Sequence, residues 1–230
     1  MRKQCIGGAV AAGLIGLATV AYADPITTNP AGGTIVNGDK TFTFGSNACT
    51  ITGGVGLSCS GITAAAYTSK TPPDGIAGLL GISYQATFNS GNPGTEDIML
   101  RYSAAINSGT NLFHDAQLTF NGNGLPPGII VTNISEQIFI HGTATLIGQV
   151  SVSNPPPILT NDVVLSQDVS WIDVIKDVEL ISTSTSSPAT ISFIGQTFSQ
   201  TSVPEPASLT LLGSALVGLG LLARRRRKAL

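Results

Sequence analysis

The sequence predicts an all-β domain, a sandwich or a jelly roll, and three features of residues 24–198 support this prediction. First, Gly, Ser, Thr and Asn are frequent while Lys and Glu are scarce, as is typical of short strands joined by turns. Second, apolar and polar residues alternate over short segments, which is the period of a strand with one buried face. Third, stretches rich in proline and glycine separate these segments and would break any helix.

The alternating segments can be placed along the chain in order. Their predicted core faces carry Phe42 and Phe44; Ile82, Tyr84, Ala86 and Phe88; Ile98, Leu100, Tyr102 and Ala104; Leu118 and Phe120; Ile138 and Ile140; and Ile191 and Phe193. The main turns between them are Pro72-Pro73-Asp74-Gly75, Asn92-Pro93-Gly94, Asn121-Gly122-Asn123-Gly124 and Asn154-Pro155-Pro156-Pro157. Several strands at this spacing indicate two packed sheets.

The segment at residues 169–180 fits two patterns. As a strand, it would place on one face Ile172, Val174, Val178 and Leu180. As a helix, it would form a stripe of Trp171, Val174, Ile175 and Val178. We assign a strand here, and the helix remains the alternative.

The N-terminus has the parts of a secretory signal peptide. Two positive residues open the chain, and an uncharged apolar run over residues 6–20 follows, which is too short to span a bilayer comfortably. Ala21 and Ala23 then supply the small residues that a signal peptidase accepts. We therefore expect signal peptidase to cleave after Ala23, so that residues 1–23 are removed.

The charge of the remaining ectodomain excludes one class of function. Residues 24–203 carry 12 acidic and 4 basic side chains, a net charge of −8, although the whole chain carries only −2. A domain this acidic has no electrostatic footprint for nucleic acid and would repel an anionic membrane surface. The sequence therefore excludes nucleic acid as a partner.

Cys49 and Cys59 are the cysteines that remain once the signal peptide is removed, and export takes them to an oxidising compartment. The glycine-rich residues between them predict a turn joining two short strands, which would bring the sulfur atoms together. A disulfide closing so small a loop would contribute about 2–3 kcal/mol to stability. A metal site or a redox pair fits less well, because no His lies nearby and the Cys-x-x-Cys spacing is absent.

The C-terminus carries three signals in a fixed order. A linker over residues 199–206 ends in Pro204, Glu205 and Pro206, and an uncharged run over residues 207–223 follows it. As a helix that run would be roughly 25 Å long, which is barely sufficient for a transmembrane span. The tail over residues 224–230 then presents five positive charges, on Arg224, Arg225, Arg226, Arg227 and Lys228. Because such clusters stay cytoplasmic, everything before the span is expected to lie outside.

A Pro-Glu-Pro motif, a minimal span and an arginine cluster together resemble the tail of the PEP-CTERM proteins. The resemblance covers about the last 28 residues. It implies that an exosortase cleaves near the motif and that the protein passes to the exterior of a bacterium that usually also makes exopolysaccharide. The protein would thus cross the bacterial inner membrane, be anchored there transiently, and end at the cell surface or outside the cell. This resemblance indicates where the protein goes and not what its domain does.

No catalytic signature stands out in the ectodomain. There is no His-x-x-x-His pair and no Gly-x-Ser-x-Gly elbow. His114 and Asp115 beside one of the many serines would form a partial triad, but any serine-rich chain offers such coincidences, and His141 lies elsewhere. We therefore expect no enzymatic activity and no catalytic residue.

Two groups of carboxylates are candidates for acid–base chemistry or for calcium. They are Glu96 with Asp97, and Asp173 with Asp177 and Glu179. The Asp-x-Asp-x-Asp-Gly loop of common calcium sites is missing, and such residues more often form the solvated face of a strand. We expect no metal site and no cofactor, with Ca²⁺ as the alternative.

Four aromatic residues could stack on sugar rings, namely Tyr67, Tyr84, Tyr102 and Trp171. Two of these, Tyr84 and Tyr102, fall on predicted core faces, whereas Trp171 is open to either interpretation. The sequence favours a structural or adhesive component of the cell surface or the exopolysaccharide matrix. A carbohydrate-binding module is the alternative, and a secreted hydrolase is the third hypothesis.

Overall fold

The computed structural model describes residues 32–53, 58–69, 79–86, 88–89, 94–107, 109, 111–122, 131–154, 156–182, 190–202 and 214–217. The strands in this part of the chain are β1 (Gly33–Asn37), β2 (Lys40–Phe44), β3 (Cys49–Gly53), β4 (Thr63–Thr68), β5 (Leu80–Gln85), β6 (Phe88–Asn89), β7 (Gly94–Ile106), β8 (Asn111–Gly122), β9 (Val131–Ile140), β10 (Leu146–Asn154), β11 (Thr160–Val169), β12 (Trp171–Ser182) and β13 (Thr190–Ser202). A 3₁₀ turn spans Cys59–Gly61, and residues 214–217 form one helical turn.

The strands form two antiparallel sheets, which confirms the predicted all-β sandwich. The first sheet has the order β1-β2-β7-β12-β9-β10, with β3 also paired to β7. The second has the order β11-β8-β13-β5-β4, with β6 also paired to β13. Strand β12 is central in the first sheet, because it pairs with β7 on one side and β9 on the other. Strand β13 is central in the second sheet, between β8 and β5.

The core lies between the two sheets and consists of the inward residues of both. As predicted, it includes Phe42, Phe44, Ile82, Tyr84, Ile98, Leu100, Tyr102, Ala104, Leu118, Phe120 and Ile138. Aromatic rings join the sheets across this core: the ring centroids of Phe42 and Phe198 are 6.3 Å apart, and those of Tyr84 and Tyr102 are 6.4 Å apart. Burial of this apolar surface is the main stabilising contribution to the sandwich.

The ambiguous segment at residues 169–180 is extended, so the strand assignment is confirmed and the helix is excluded. Strand β11 ends at Val169, and the single residue Ser170 separates it from β12. The inner face of β12 carries the predicted residues Ile172, Val174, Val178 and Leu180, all buried. Trp171 and Ile175 would have joined the apolar stripe of the helix, but they lie on the outer face.

The disulfide between Cys49 and Cys59 is present, with Cα atoms 5.8 Å apart. The predicted hairpin between these cysteines is wrong. Strand β3 pairs with β7, with Cys49 opposite Leu100, and Cys59 opens the 3₁₀ turn. The disulfide therefore ties this turn to the first sheet.

Strand β13 differs from its prediction in two ways. It continues to Ser202, so residues 199–202 belong to the last strand and not to the linker. Its register also shifts between Ile191 and Ile194. The residues after this shift therefore point to the face opposite to the one that simple alternation from Ile191 predicts. In consequence Ile194 is buried in the core, while Phe193 packs beside Tyr67.

Among the described residues, no helix has both the length and the apolar character needed to cross a membrane. The predicted signal peptide at residues 1–23 lies outside the described residues. So does most of the predicted span at residues 207–223.

Candidate functional site

Trp171 stands half-exposed at the start of the central strand β12. Its side chain is 48% exposed, whereas the next residue, Ile172, is completely buried. Side chains alternate across a strand, so Trp171 and the other odd-numbered residues of β12 point to the outer surface of the first sheet. The sandwich thus presents a large aromatic ring to solvent on a rigid central strand.

The imidazole ring of His141 lies flat against Trp171. The two ring centroids are 3.6 Å apart, and the ring planes differ by 9°. His141 follows directly after β9, and its backbone N–H donates to the carbonyl oxygen of Trp171 at 3.3 Å. Gly142 turns the chain there with a φ of +70°, a conformation that glycine adopts without strain. The stack covers one face of the indole and fixes its orientation.

Asp173 holds the imidazole in place with both carboxylate oxygens engaged. His141 Nδ1 donates to Asp173 Oδ1 at 2.7 Å, and the backbone N–H of Gly142 donates to Asp173 Oδ2 at 2.8 Å. A hydrogen bond to a charged acceptor is stronger than one between neutral groups. We call Trp171, His141 and Asp173 together the Trp171 surface.

A cleft of about 410 Å³ opens beside the Trp171 surface. Trp171 and His141 line one part of it, and Leu112, Val169 and Asp168 line the rest. It combines an aromatic ring, apolar side chains and a carboxylate that accepts hydrogen bonds. Small-molecule and sugar sites have this composition of apolar walls with a few fixed polar groups.

A second cleft, of about 520 Å³, reaches Asp173. Its lining includes Asp173, Arg101, Asn47, Ser103 and Ile175. Most of these side chains can donate or accept hydrogen bonds. The Trp171 surface therefore borders both clefts.

His114 belongs to a second His–Asp pair, on the second sheet. Its Nδ1 donates to Asp168 Oδ1 at 2.9 Å, and the hydroxyl of Thr201 donates to Asp168 Oδ2 at 2.7 Å. These two hydrogen bonds, that of His114 first, lower the pKa of Asp168. The neighbouring Asp115 does not pair with the histidine, because its carboxylate accepts from the backbone N–H of Ser199. The partial triad of His114 and Asp115 is thus not assembled.

The candidate carboxylates separate onto different faces. Glu96 is buried, whereas Asp97 is exposed, because consecutive residues of a strand point in opposite directions. Asp177 and Glu179 lie on the outer face with Asp97. Burial, a hydrogen bond that the protonated Asp177 donates to Asp97, and the negative charges of Asp97 and Glu179 raise the pKa of Asp177 to about 6. In the part of the chain that the structure describes, no group of three or more His, Cys, Asp or Glu side chains is arranged to hold a metal ion.

Three of the four candidate aromatics are not available for stacking on a ligand in the way that Trp171 is. Tyr84 and Tyr102 are buried in the core, as their strand positions predict. Tyr67 is half-buried, and its ring packs edge-on against Phe193 at 5.0 Å. Trp171 is therefore the strongest candidate among the four.

Sequence reasoning missed a buried polar group in the centre of the sandwich. Lys176, Glu136 and Gln196 are all completely buried, and Lys176 Nζ contacts both of the other side chains. One signal was available in the sequence, because Lys176 alternates with Val174 and Val178 and so falls on the inner face of a strand. The partners come from distant strands and have no local signal.

Comparison with known proteins identifies the C-terminal end. Residues 202–228 match the PEP-CTERM protein-sorting motif. The chain carries a PEP-CTERM sorting signal. This motif indicates export and membrane-anchored sorting to the cell surface, and it implies processing by an exosortase.

The sorting residues proposed from the sequence lie outside the described residues, so their geometry is not part of the site. They are Ala21 and Ala23 at the signal cleavage site, Pro204, Glu205 and Pro206 in the PEP-CTERM motif, and Arg224, Arg225, Arg226, Arg227 and Lys228 in the basic tail.

The chain is also similar to solved structures, and the three described here are distant likenesses. No curated protein matches the chain in sequence. A carbohydrate-binding module solved with β-1,4-galactotriose aligns with a TM-score of 0.31 and 9% identity, over 68% of this chain and 90% of that one. The C-terminal domain of a chitobiase from Bacteroides fragilis aligns with a TM-score of 0.31 and 17% identity, over 75% of this chain and 100% of that one.

A third structure, a carbohydrate-binding module of the β-sandwich superfamily, aligns with a TM-score of 0.28 and 9% identity. The alignment covers 67% of this chain but only 57% of that module. At these TM-scores the likeness carries no argument about ligand or activity.

Proposed function

We propose that this PEP-CTERM protein is an adhesive component of the cell surface or the exopolysaccharide matrix, and that it binds polysaccharide through the Trp171 surface. The sorting motif supports the location. The adhesive role is supported by one observation above all: the exposed indole of Trp171 is fixed in place by His141 and Asp173. A rigid aromatic ring loses little conformational entropy on binding, so it is well suited to stack on a ligand.

The two clefts favour a chain-like ligand over a small one. Asp173 lines one cleft and its hydrogen-bond partner His141 lines the other, so a ligand long enough to enter both clefts would meet hydrogen-bonding groups in each. Stacking at the centre with hydrogen bonds on both flanks is how a linear polysaccharide would be held. A short ligand would use only part of this surface.

The charge of the surface restricts the class of polysaccharide. Asp168 and Asp173 line the clefts, and Asp97, Asp177 and Glu179 share the outer face of the first sheet with Trp171. Among the described residues of this surface, Arg101 in the second cleft is the one Arg or Lys side chain against these five carboxylates. The net field is therefore negative, and it would repel acidic polysaccharides but not neutral or amino-sugar chains. We therefore propose a neutral or cationic polysaccharide as the partner.

The proposed role is binding without catalysis. His114 is hydrogen-bonded to Asp168, and His141 is hydrogen-bonded to Asp173. In the described part of the chain, no nucleophile is hydrogen-bonded to either histidine. Turnover of polysaccharide or ester substrates by the purified protein would contradict this part of the proposal and favour the hydrolase.

Retention on immobilised neutral and amino-sugar polysaccharides tests the binding surface. Trp171→Ala should weaken binding about tenfold, because an aromatic stacking contact contributes on the order of 1.5 kcal/mol. Val164→Ala is a matched control, since Val164 is an apolar residue that is 61% exposed on β11. Equal binding by the parent and both variants, or no binding to any polysaccharide, would reject the Trp171 surface as a sugar site.

Variants of the tail test the sorting route in a host that carries an exosortase. Replacing Pro204, Glu205 and Pro206 by Ala leaves the apolar run and the arginines intact, so insertion should continue while tail removal stops. Full-length protein should then accumulate in the inner membrane, as seen by fractionation and mass measurement. As a comparison, neutral residues at positions 224–227 should weaken orientation or retention instead. Trimming of the alanine variant at the parent's efficiency would show that the motif is not the recognised signal.

A further inference from the structure

A lysine, a carboxyl group and a primary amide meet in the middle of the apolar core. Lys176 on β12 lies directly opposite Glu136 on the neighbouring strand β9, and Gln196 reaches them from β13 in the facing sheet. All three residues have no measurable exposure. Lys176 Nζ donates to Glu136 Oε2, and it donates to the amide oxygen Oε1 of Gln196 at 3.1 Å.

Among the residues that the structure describes, the remaining polar atoms of this cluster have no hydrogen-bond partner. These atoms are Glu136 Oε1 and Gln196 Nε2, and the hydroxyl groups of Tyr84 and Tyr102 are also unpartnered. A cluster whose only role is to stabilise the fold is expected to have its buried polar atoms paired, because an unpaired one costs about 1–3 kcal/mol. Here the unpaired atoms include the amide nitrogen and the second carboxyl oxygen.

Burial in the core also shifts the pKa values of the two ionisable groups. Burial raises the pKa of Glu136 and lowers that of Lys176, against the opposing effect of their mutual attraction. Desolvation favours the neutral forms, an amine with a free electron pair and a carboxylic acid. A neutral amine is a nucleophile, and a desolvated lysine is one of the ways in which proteins activate this group.

We propose that Lys176 and Gln196 join in an intramolecular amide bond, with Glu136 as the proton carrier. The electron pair of Lys176 Nζ attacks Cδ of Gln196, and Glu136 transfers one proton from Nζ to Nε2. The bond between Cδ and Nε2 then breaks, and Nε2 leaves as ammonia. An amine and a primary amide become one secondary amide and one ammonia, and no oxidant or other reactant is needed.

The arrangement favours Gln196 over Glu136 as the acceptor of the new bond. An amide between Lys176 and Glu136 would release water, and another group would have to carry the proton from Lys176 Nζ to the leaving hydroxyl. The nearby groups are the phenols of Tyr84 and Tyr102, whose pKa values burial raises further. With Gln196 as the acceptor, Glu136 itself supplies the proton to the leaving nitrogen.

The close approach of β5 to β13 fixes the position of the Gln196 backbone. Gly81 lies beside it on β5, and a Cβ atom at Gly81 would be only 1.7 Å from the carbonyl oxygen of Gln196. The close approach of the two strands therefore requires glycine at this position. Reacting groups held in contact by rigid strands react far faster than the same groups free in solution. The product would link the two sheets covalently.

Peptide mapping of the full chain tests the bond directly. The protein is purified, its disulfide is reduced and alkylated, and it is digested with chymotrypsin, which cleaves after Trp171, Leu180, Phe193 and Phe198. The expected product is residues 172–180 joined to residues 194–198, with a mass lower than their sum by one ammonia. Recovery of both peptides separately at their sequence masses would overturn the proposal. Residues 172–180 joined instead to a peptide containing Glu136, with loss of one water, would overturn it as well.

Three variants separate the roles of the residues. Lys176→Arg and Gln196→Leu each remove one bonding group, so the joined peptide should be absent. Glu136→Gln keeps both bonding groups but removes the acid, so the joined fraction should fall at least tenfold. Lys40→Arg is the control, because Lys40 is also buried but is hydrogen-bonded to Asp39. This variant should leave the amount of joined peptide unchanged. A joined peptide that persists in Lys176→Arg would show that another residue carries the link.

Discussion

The two faces of strand β12 carry ionisable residues in opposite environments. The outer face presents Trp171, Asp173, Asp177 and Glu179. The inner face presents Ile172, Val174, Lys176, Val178 and Leu180, all buried. A step of one residue along the strand thus moves a side chain from solvent into a closed apolar core.

This difference shows that position relative to the core, more than residue type, decides the chemistry of a charged side chain. On the outer face, Asp173 has solvent access and uses its hydrogen bonds to orient a ring. On the inner face, Lys176 is shut off from water, so burial lowers its pKa and favours the neutral amine, which donates to Glu136 and Gln196. The outer residues are thus suited to binding a ligand, and the inner ones to reacting with each other.

The largest expected difference between the two faces is in the free energy of unfolding, and two adjacent residues test it. Ile172→Ala should lower the free energy of unfolding by about 2–4 kcal/mol, because it leaves a cavity in the core. Trp171→Ala should change it by less than about 1 kcal/mol, since the ring is half-exposed. Urea denaturation of the two variants and the parent would measure both values. Similar losses in the two variants would mean that Trp171 is part of the packed core and not a free surface.

A smaller effect, on pH dependence, is expected on the outer face at Asp177. Its pKa of about 6 lies above the ordinary value of 3.8, so between those values the folded protein binds a proton that the unfolded chain has lost. This group therefore contributes stability below about pH 4, and that contribution is lost as the pH rises to about 6. Asp177→Asn should therefore raise the free energy of unfolding at pH 7 by roughly 1 kcal/mol, after allowance for solvent screening.

The same substitution should also flatten the change in stability between pH 7 and pH 5, measured by denaturation at both pH values. Asp162→Asn is the control, because Asp162 is an exposed carboxylate on β11, away from the group of Asp97 and Glu179. An Asp177→Asn variant that is less stable than the parent at pH 7 would contradict the prediction.

The fold follows from local alternation wherever a strand keeps its register. Tyr102 and Val174 are buried as their spacing predicts, because period-two alternation directly reflects the two faces of a strand. The last strand shows the limit: the register shift after Ile191 reverses the faces, so Phe193 is not in the core. A bulge of this kind leaves no clear mark on the local pattern.

The site is harder to predict, because it depends on which strands become neighbours. His141, Trp171 and Asp173 each stand out in the sequence, but the pairing of β9 with β12 is what brings them together. The same holds for Lys176 and Gln196, which face each other only once the two sheets pack. Long-range pairing of this type is set by the whole fold and not by any single segment.

The placement of β13 has a mechanical consequence. This strand ends at Ser202, where the sorting signal begins. It pairs with β8 up to that residue and also with β5 over residues 194–198. A pull on the C-terminal end would act along the axis of β13, and the ladders on both sides would have to shear at once. An edge strand under the same load could be peeled away one hydrogen bond at a time. Tension on a cell-surface tether would thus enter the molecule through the middle of a sheet, where it is best resisted.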